Sequence, residues 1–148
     1  MSIQNDYVIR KAVDSDLDEI KKIADSHKKE LGFIRRPALA RSIAQEELIV
    51  AANGVGIMGF IQYHHRRDEQ TTLHNIVVVQ SFRKIGVGQK LIQRLEAEAI
   101  AMDQNTILLK CPEDLDANEF YKSIGYSETN KETGKARSLI IWTKVLKS

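Results

Sequence analysis

The sequence predicts a mixed α/β fold, an α+β arrangement in which one mixed sheet lies beneath helices. Three observations predict it. Short apolar strands recur along the chain, strands follow one another directly between Leu48 and Val79, and strand-helix-strand units flank that run. No Pro/Gly/Ser-rich linker, low-complexity tract or internal repeat interrupts the 148 residues, so one domain over residues 1–148 is expected.

Each element has its own justification. Tyr7 to Val13 alternates like a strand. Asp14-Ser15-Asp16 offers capping side chains, with Glu19 at capping-box spacing from Asp16. Leu17, Ile20, Ala24 and Leu31 then follow helical spacing to a stop at Gly32. After Pro37, Leu39 and Ile43 mark a second, shorter helix. Leu48 to Ala52 and Ile57 to Tyr63 are apolar strands around Asn53-Gly54, a hairpin turn pair. His64 to Gln70 is polar enough for a loop, and Thr72 to Val79 forms the next strand.

Gly86 and Gly88 open a long helix whose apolar face carries Leu91, Ile92, Leu95, Ala99 and Met102. Thr106 to Cys111 is a strand stopped by Pro112, Ala117 to Ile124 a helix ended by Gly125, and Ser138 to Val145 the last strand. With an extra strand near Tyr126 to Thr129, the expected total is about six to seven strands with about four helices.

Composition narrows the function classes. Hydrophobic residues make up 43% and charged residues 28%, the balance of a folded soluble chain. Lys plus Arg number 22 against 20 for Asp plus Glu, and a net charge of +2 argues against nucleic acid or an anionic membrane as partner. Cys111 is the single cysteine, which suits a reducing compartment; no apolar run approaches the ~20 residues of a membrane span. The opening Met1-Ser2-Ile3-Gln4-Asn5-Asp6 lacks the pattern of a signal peptide, and the expected location is cytoplasmic.

The most informative segment runs from Ile76-Val77-Val78 through Arg83-Lys84-Ile85-Gly86-Val87-Gly88-Gln89. A strand leads through a short turn to two glycines at a helix start. That geometry gathers unpaired N–H groups at the positive end of the helix dipole, a setting for phosphate or pyrophosphate. Arg83 and Lys84 add positive charge there. A tight strand-to-helix turn without a ligand would look similar. A dinucleotide fingerprint would need glycine at Leu91, and a P-loop would need Gly-Lys-Ser/Thr; neither pattern is present.

These residues resemble the GNAT superfamily of N-acetyltransferases. Its coenzyme A loop reads Gln/Arg-x-x-Gly-x-Gly/Ala, and Arg83-Lys84-Ile85-Gly86-Val87-Gly88 matches every fixed position. The apolar-x-Val strand upstream is matched by Ile76-Val77-Val78. The aromatic-Tyr-x-x-x-Gly-aromatic segment downstream is matched by Phe120-Tyr121-Lys122-Ser123-Ile124-Gly125-Tyr126. The resemblance implies an acyl-CoA N-acyltransferase fold with splayed fourth and fifth strands, and acetyl-CoA as co-substrate. Ile76, Val77 and Val78 would pair with the pantetheine arm, and Lys84, Ile85, Gly86, Val87, Gly88 and Gln89 would hold the pyrophosphate beside Arg83. Two positions depart from the pattern. Gln80 replaces a common proline, and Asp114 replaces the usual asparagine, so Asn118 is assigned that cofactor-binding role instead.

Aminolysis of a thioester needs a neutral amine and a protonated leaving sulfur, and direct attack needs no enzyme nucleophile. The resemblance places the Tyr121 hydroxyl beside the coenzyme A sulfur as the acid; a plain aromatic packing role is the alternative. For the base, histidine titrates in the right range. His27 is in register with core positions, which points to packing, while His64 and His65 sit beside Arg66 and Arg67 at a strand end, where solvated side chains are expected. His74, on the fourth strand two residues before Ile76, resembles the catalytic histidine of arylalkylamine N-acetyltransferases. It is assigned as base, against a purely structural sheet histidine. Many relatives use a glutamate on the fourth or fifth strand, and the fifth-strand candidate here is Lys110.

Adjacent strand histidines face opposite ways, so His64, His65 and His74 make a poor chelate and no metal is expected. Cys111 is expected to be a small buried hydrophobe. The acceptor is an amine of unspecified identity. Lys28, Lys29, Arg35, Arg36, Arg66 and Arg67, with Phe33 and Tyr63, lie where the family binds it, either as a solvated face or as a site for an acidic acceptor. A homodimer is the assembly the sequence allows for. The rival function is a non-catalytic acyl-CoA-binding module on the same fold.

Overall fold

The computed structural model describes residues 6–134 and 137–146. The chain runs β1 (Val8–Lys11), α1 (Leu17–Ser26), α2 (Lys28–Leu31), α3 (Arg36–Ala44), β2 (Leu48–Ala52), β3 (Ile57–His65), β4 (Gln70–Val78), α4 (Val87–Ala101), β5 (Thr106–Pro112), α5 (Ala117–Ser123), β6 (Ser127–Thr133) and β7 (Ser138–Val145). Single 3-10 turns stand at Asp14–Asp16 and Gln80–Phe82. The strands form one seven-stranded mixed sheet in the order β1-β2-β3-β4-β5-β7-β6. β4 and β5 pair in parallel, whereas β1 with β2, β2 with β3, and β7 with both β5 and β6 pair antiparallel. No helix among the described residues is long and apolar enough to cross a membrane.

The mixed α/β class is therefore correct, and the strand count falls at the upper expectation. Five helices replace the four expected because the first helical stretch breaks at His27, whose φ of −124° and ψ of 29° leave the helical region. Side chains compete with the backbone at that break: Ser26 Oγ donates to the Lys22 carbonyl at 2.9 Å, and His27 Nδ1 bonds the Ile23 carbonyl at 2.7 Å. The capping-box reading of Asp16 and Glu19 also differs from what forms. Asp16 Oδ2 accepts from the Val13 N–H at 2.8 Å and from Arg10 at 2.8 Å. Glu19 instead accepts the Ile57 N–H at 2.7 Å, tying α1 to the start of β3.

The described chain divides into two compact units. The first comprises residues up to His64 together with Asn75–Leu95. Ile20, Ile23 and Ala24 of α1 and Leu39 and Ile43 of α3 bury against Leu48, Val50, Phe60 and Val77 of β2, β3 and β4. Removing Ile20 wholly from water stabilises the unit by about 1.5–3 kcal/mol. Asn53 closes the β2–β3 hairpin, its Oδ1 accepting from Val55 N–H at 2.8 Å and Gly56 N–H at 2.9 Å. At Gly59 an added Cβ would meet the Val77 carbonyl oxygen at 2.6 Å and Val78 Cα at 3.1 Å, so β3 and β4 approach more closely than any side chain allows.

The second unit comprises His65–His74 and the chain from Glu96 onward. Here Ile107, Leu109 and Cys111 of β5, Tyr121 of α5, and Ile140 and Trp142 of β7 are buried. The parallel ladder registers Gln70 to Leu73 of β4 against Thr106 to Leu109 of β5.

Candidate functional site

In the first unit the loop ahead of α4 is shaped by two left-handed residues, Lys84 at φ +68° and Gly86 at φ +88°. Glycine suits the second because an L side chain resists that region. The Lys90 N–H bonds the Gly86 carbonyl at 3.1 Å and closes the first helical turn. The N–H groups ahead of Lys90, on Gly86, Val87, Gly88 and Gln89, have no intrahelical acceptor by construction. Val87 is buried and anchors the turn, whereas Lys84, Ile85 and Gln89 are exposed. The donors suit an anionic group, with the dipole end of a 15-residue helix behind them.

Upstream, Val77 faces the core while Ile76 and Val78 are half-buried. Arg83, expected to add charge at the loop, has a second task. Its Nε donates to the Val78 carbonyl at 2.8 Å, and its Nη2 lies 3.2 Å from Glu30 of α2. Arg83 therefore braces the strand-to-helix turn, and Lys84 is the exposed loop cation with no acidic partner among the described residues. Sequence reasoning missed Glu30; a lone acidic residue 53 positions away carries no local signal.

In the second unit Tyr121 is buried beside Phe120 and Tyr126, with ring centroids 5.6 Å and 6.3 Å away. Burial raises the Tyr121 hydroxyl well above the ordinary tyrosine range, and the neighbouring Cys111 adds to the rise. The tyrosine keeps its proton throughout the neutral range, as a proton donor must. Cys111 is buried as expected, and that burial pushes its thiol up to about 11. Tyr126 donates to Glu96 at 3.0 Å, and Lys144 lies 3.2 Å from the same carboxylate, fixing the ring that packs edge-on against Tyr121.

Asn118 is also buried. Its Nδ2 donates to the carbonyls of Pro112, Glu113 and Leu115 at 2.9, 3.3 and 2.8 Å, and its Oδ1 accepts from Trp142 at 2.8 Å. These bonds make it a brace for the β5–α5 loop, with its amide hydrogens already committed to that loop. Asp114, the departure noted in the sequence, is paired with Arg137 at 2.8 Å, and that hydrogen bond holds its carboxyl below the usual range.

His74 is exposed on β4. His65 is mostly buried, bonded to Thr71 at 2.8 Å and Glu98 at 2.9 Å, which corrects the expectation of a solvated side chain. His64 pairs with the buried Glu47 at 2.9 Å. Lys110 pairs outward with Glu132 at 3.0 Å. Of the residues placed at the acceptor face, Phe33 is exposed under Lys21 and Lys28, whereas Tyr63 is buried, its hydroxyl 3.0 Å from Lys11. Arg36 pairs with Asp18, and Arg66 lies 3.6 Å from Asp68.

The model of the acetyltransferase (GNAT) domain matches residues 19–142. Among solved structures, the fold is similar to Ard1 from Thermoplasma volcanium, with 18% identity, a TM-score of 0.86, and coverage of 96% of this chain and 99% of that one. The ribosomal-protein-S18-alanine N-acetyltransferase from Escherichia coli has 18% identity and a TM-score of 0.80, covering 96% and 95%. The structure of yncA from Salmonella typhimurium with its cofactor acetyl-CoA has 19% identity and a TM-score of 0.78, covering 97% and 95%. No curated protein matches the sequence.

Proposed function

Because the chain belongs to the GNAT acetyltransferase domain family, we propose that it transfers acetyl from acetyl-CoA to a primary amine by direct attack within a ternary complex. The observation that carries the reading is the loop from Arg83 to Gln89, where Lys84 and Gly86 turn the backbone so that a helix start presents its N–H groups. Acetyl-CoA supplies the activated acetyl as a thioester. The donor set fits its pyrophosphate: Gly86, Val87, Gly88 and Gln89 would hold it by backbone N–H groups, with Lys84 and Ile85 completing the turn and Arg83 bracing it. Ile76, Val77 and Val78 would pair with the pantetheine arm through their backbones. The named cofactor of the yncA structure supports this reading.

Tyr121, kept protonated by burial, would protonate the leaving sulfur, and His74 would take the proton of the amine. Asn118 would act through the loop that it braces. The neutral, buried Cys111 thiol suits a reducing cytoplasm, where we place the protein. The experiment is thiol release from acetyl-CoA with three amine types: a peptide with a free α-amine, an N-terminally blocked lysine peptide, and small primary amines. Release with at least one is expected. Calorimetric binding of acetyl-CoA without release on any of them would leave only a binding module.

A further inference from the structure

Gln62 is 6% exposed in β3, where it follows the apolar run Ile57 to Ile61 and precedes the buried Tyr63. Burying an amide there is costly unless its polar atoms are bonded. They are: the Asn75 Nδ2 donates to Gln62 Oε1 at 2.7 Å, and Gln62 Nε2 donates to Ser42 Oγ of α3 at 2.9 Å. All three residues belong to the first unit. Both donations run the same way, from β4 through β3 to α3, and in this arrangement the Asn75 nitrogen faces Gln62. The Asn75 side-chain oxygen is turned away from the relay, and it has no hydrogen-bond partner among the described residues. Asn75 is only half-buried, and among the described residues its oxygen is not one of the sealed polar atoms that lack a partner.

We propose that Asn75 is an acceptor-recognition residue: its side-chain oxygen, held outward by Gln62 and Ser42, accepts an N–H of the amine substrate. The inference rests on the acetyl-transfer reading, under which Asn75 stands between the base His74 and the cofactor-pairing Ile76. An oxygen with no proton to give selects a substrate that donates, and a fixed one orients the amine before attack. A lone polar residue could have been replaced by an apolar one at little cost. A directed three-residue relay ending on an accessible acceptor serves a ligand.

The test measures acceptor KM, kcat and the calorimetric Kd for acetyl-CoA, using whichever of the three amine types turns over. Asn75→Ala should raise the acceptor KM about tenfold to a hundredfold, as for one lost hydrogen bond to a charged donor. Affinity for acetyl-CoA should stay at the parent value. Asn75→Asp should hold the parent KM, because a rotated Gln62 can donate to the carboxylate while the Ser42 hydroxyl donates to Gln62. Gln62→Leu should raise KM by letting the Asn75 amide turn. Independently of turnover, the Asn75 side-chain amide resonance of the parent should shift on titration with the amine alone.

A folded Asn75→Ala protein with the parent KM overturns the inference and leaves acetyl transfer standing. So does a loss of acetyl-CoA affinity that tracks the rise in KM. A parent protein that binds no acetyl-CoA, or releases no thiol, overturns the acetyl-transfer reading and the inference with it. If Asn75→Ala does not fold, a KM rise in Gln62→Leu but not in Asn75→Asp supports the inference, and any other pattern overturns it.

Discussion

Asn118 accepts the Trp142 indole N–H at 2.8 Å while its own nitrogen gathers three loop carbonyls, so one buried amide joins β7 to the segment that leads into Tyr121. Asn118→Leu would strand the indole N–H and the loop carbonyls at once. Stability should fall by about 2–4 kcal/mol, read as a lower urea midpoint at unchanged slope. An unmoved midpoint would mean that water replaces the amide and that the brace is dispensable.

Gly86 separates backbone strain from crowding. An added Cβ there meets nothing within 4 Å, yet φ is +88°. Gly86→Ala should therefore cost only the conformational penalty, about 1–2 kcal/mol of stability, while weakening acetyl-CoA binding as the turn relaxes. Gly88→Glu adds bulk and negative charge near the proposed phosphates and should weaken binding in a folded protein. Calorimetry with acetyl-CoA reads both variants, and parent affinity in both would remove the loop from the site.

Tyr121→Phe keeps the packing against Phe120 and Tyr126 and removes only the hydroxyl. Turnover at saturation should drop by roughly ten- to a thousandfold with acetyl-CoA affinity little changed. Undiminished kcat would return Tyr121 to a packing role.

Alkaline stability follows from the same burial. The folded protein holds the Cys111 thiol neutral up to about 11, and the Tyr121 and Tyr126 hydroxyls are raised further, by burial first. In the unfolded chain these groups ionise at ordinary values, so above those values the folded state binds more protons. Stability should be full below about pH 8.5 and decline as pH rises beyond it. Urea midpoints at about pH 7.5, 9 and 10 give the slope, and Cys111→Ala should delay its onset.

His74→Gln addresses the proposed base. If His74 takes the amine proton, the rate should rise with pH as that group loses its proton, and the substitution should flatten that limb. Two acceptors of different basicity are compared, because a limb that follows the acceptor and ignores the substitution assigns deprotonation to solvent.

Much of the fold was legible because its signals are local. Asn53-Gly54 marked the hairpin, the Ser138 to Val145 strand has its expected limits, and the glycines set the start of α4. What stayed hidden depends on partners distant in sequence. Glu19 looked like a local cap but serves Ile57, 38 residues on, and Arg83 looked like free charge until Glu30 met it. His65 looked solvated because its sequence neighbours are charged; its pairing with Glu98 depends on the packed unit. Gln62 carried no signal in the sequence, because its partners Ser42 and Asn75 meet it only in the packed unit.

The close approach at Gly59 bears on how freely this chain can drift. The obstacle to any larger residue is the Val77 carbonyl oxygen itself, at 2.6 Å, and backbone cannot swing aside as a flexible side chain would. A library randomising β3 should therefore recover diverse apolar residues at positions 58, 60 and 61 but almost uniform glycine at 59. Because Val77 and Val78 belong to the proposed cofactor strand, lineages that lose this glycine would have to rebuild that strand's backbone. That coupling makes one side-chain-free position a better marker of functional descent than the larger residues around it.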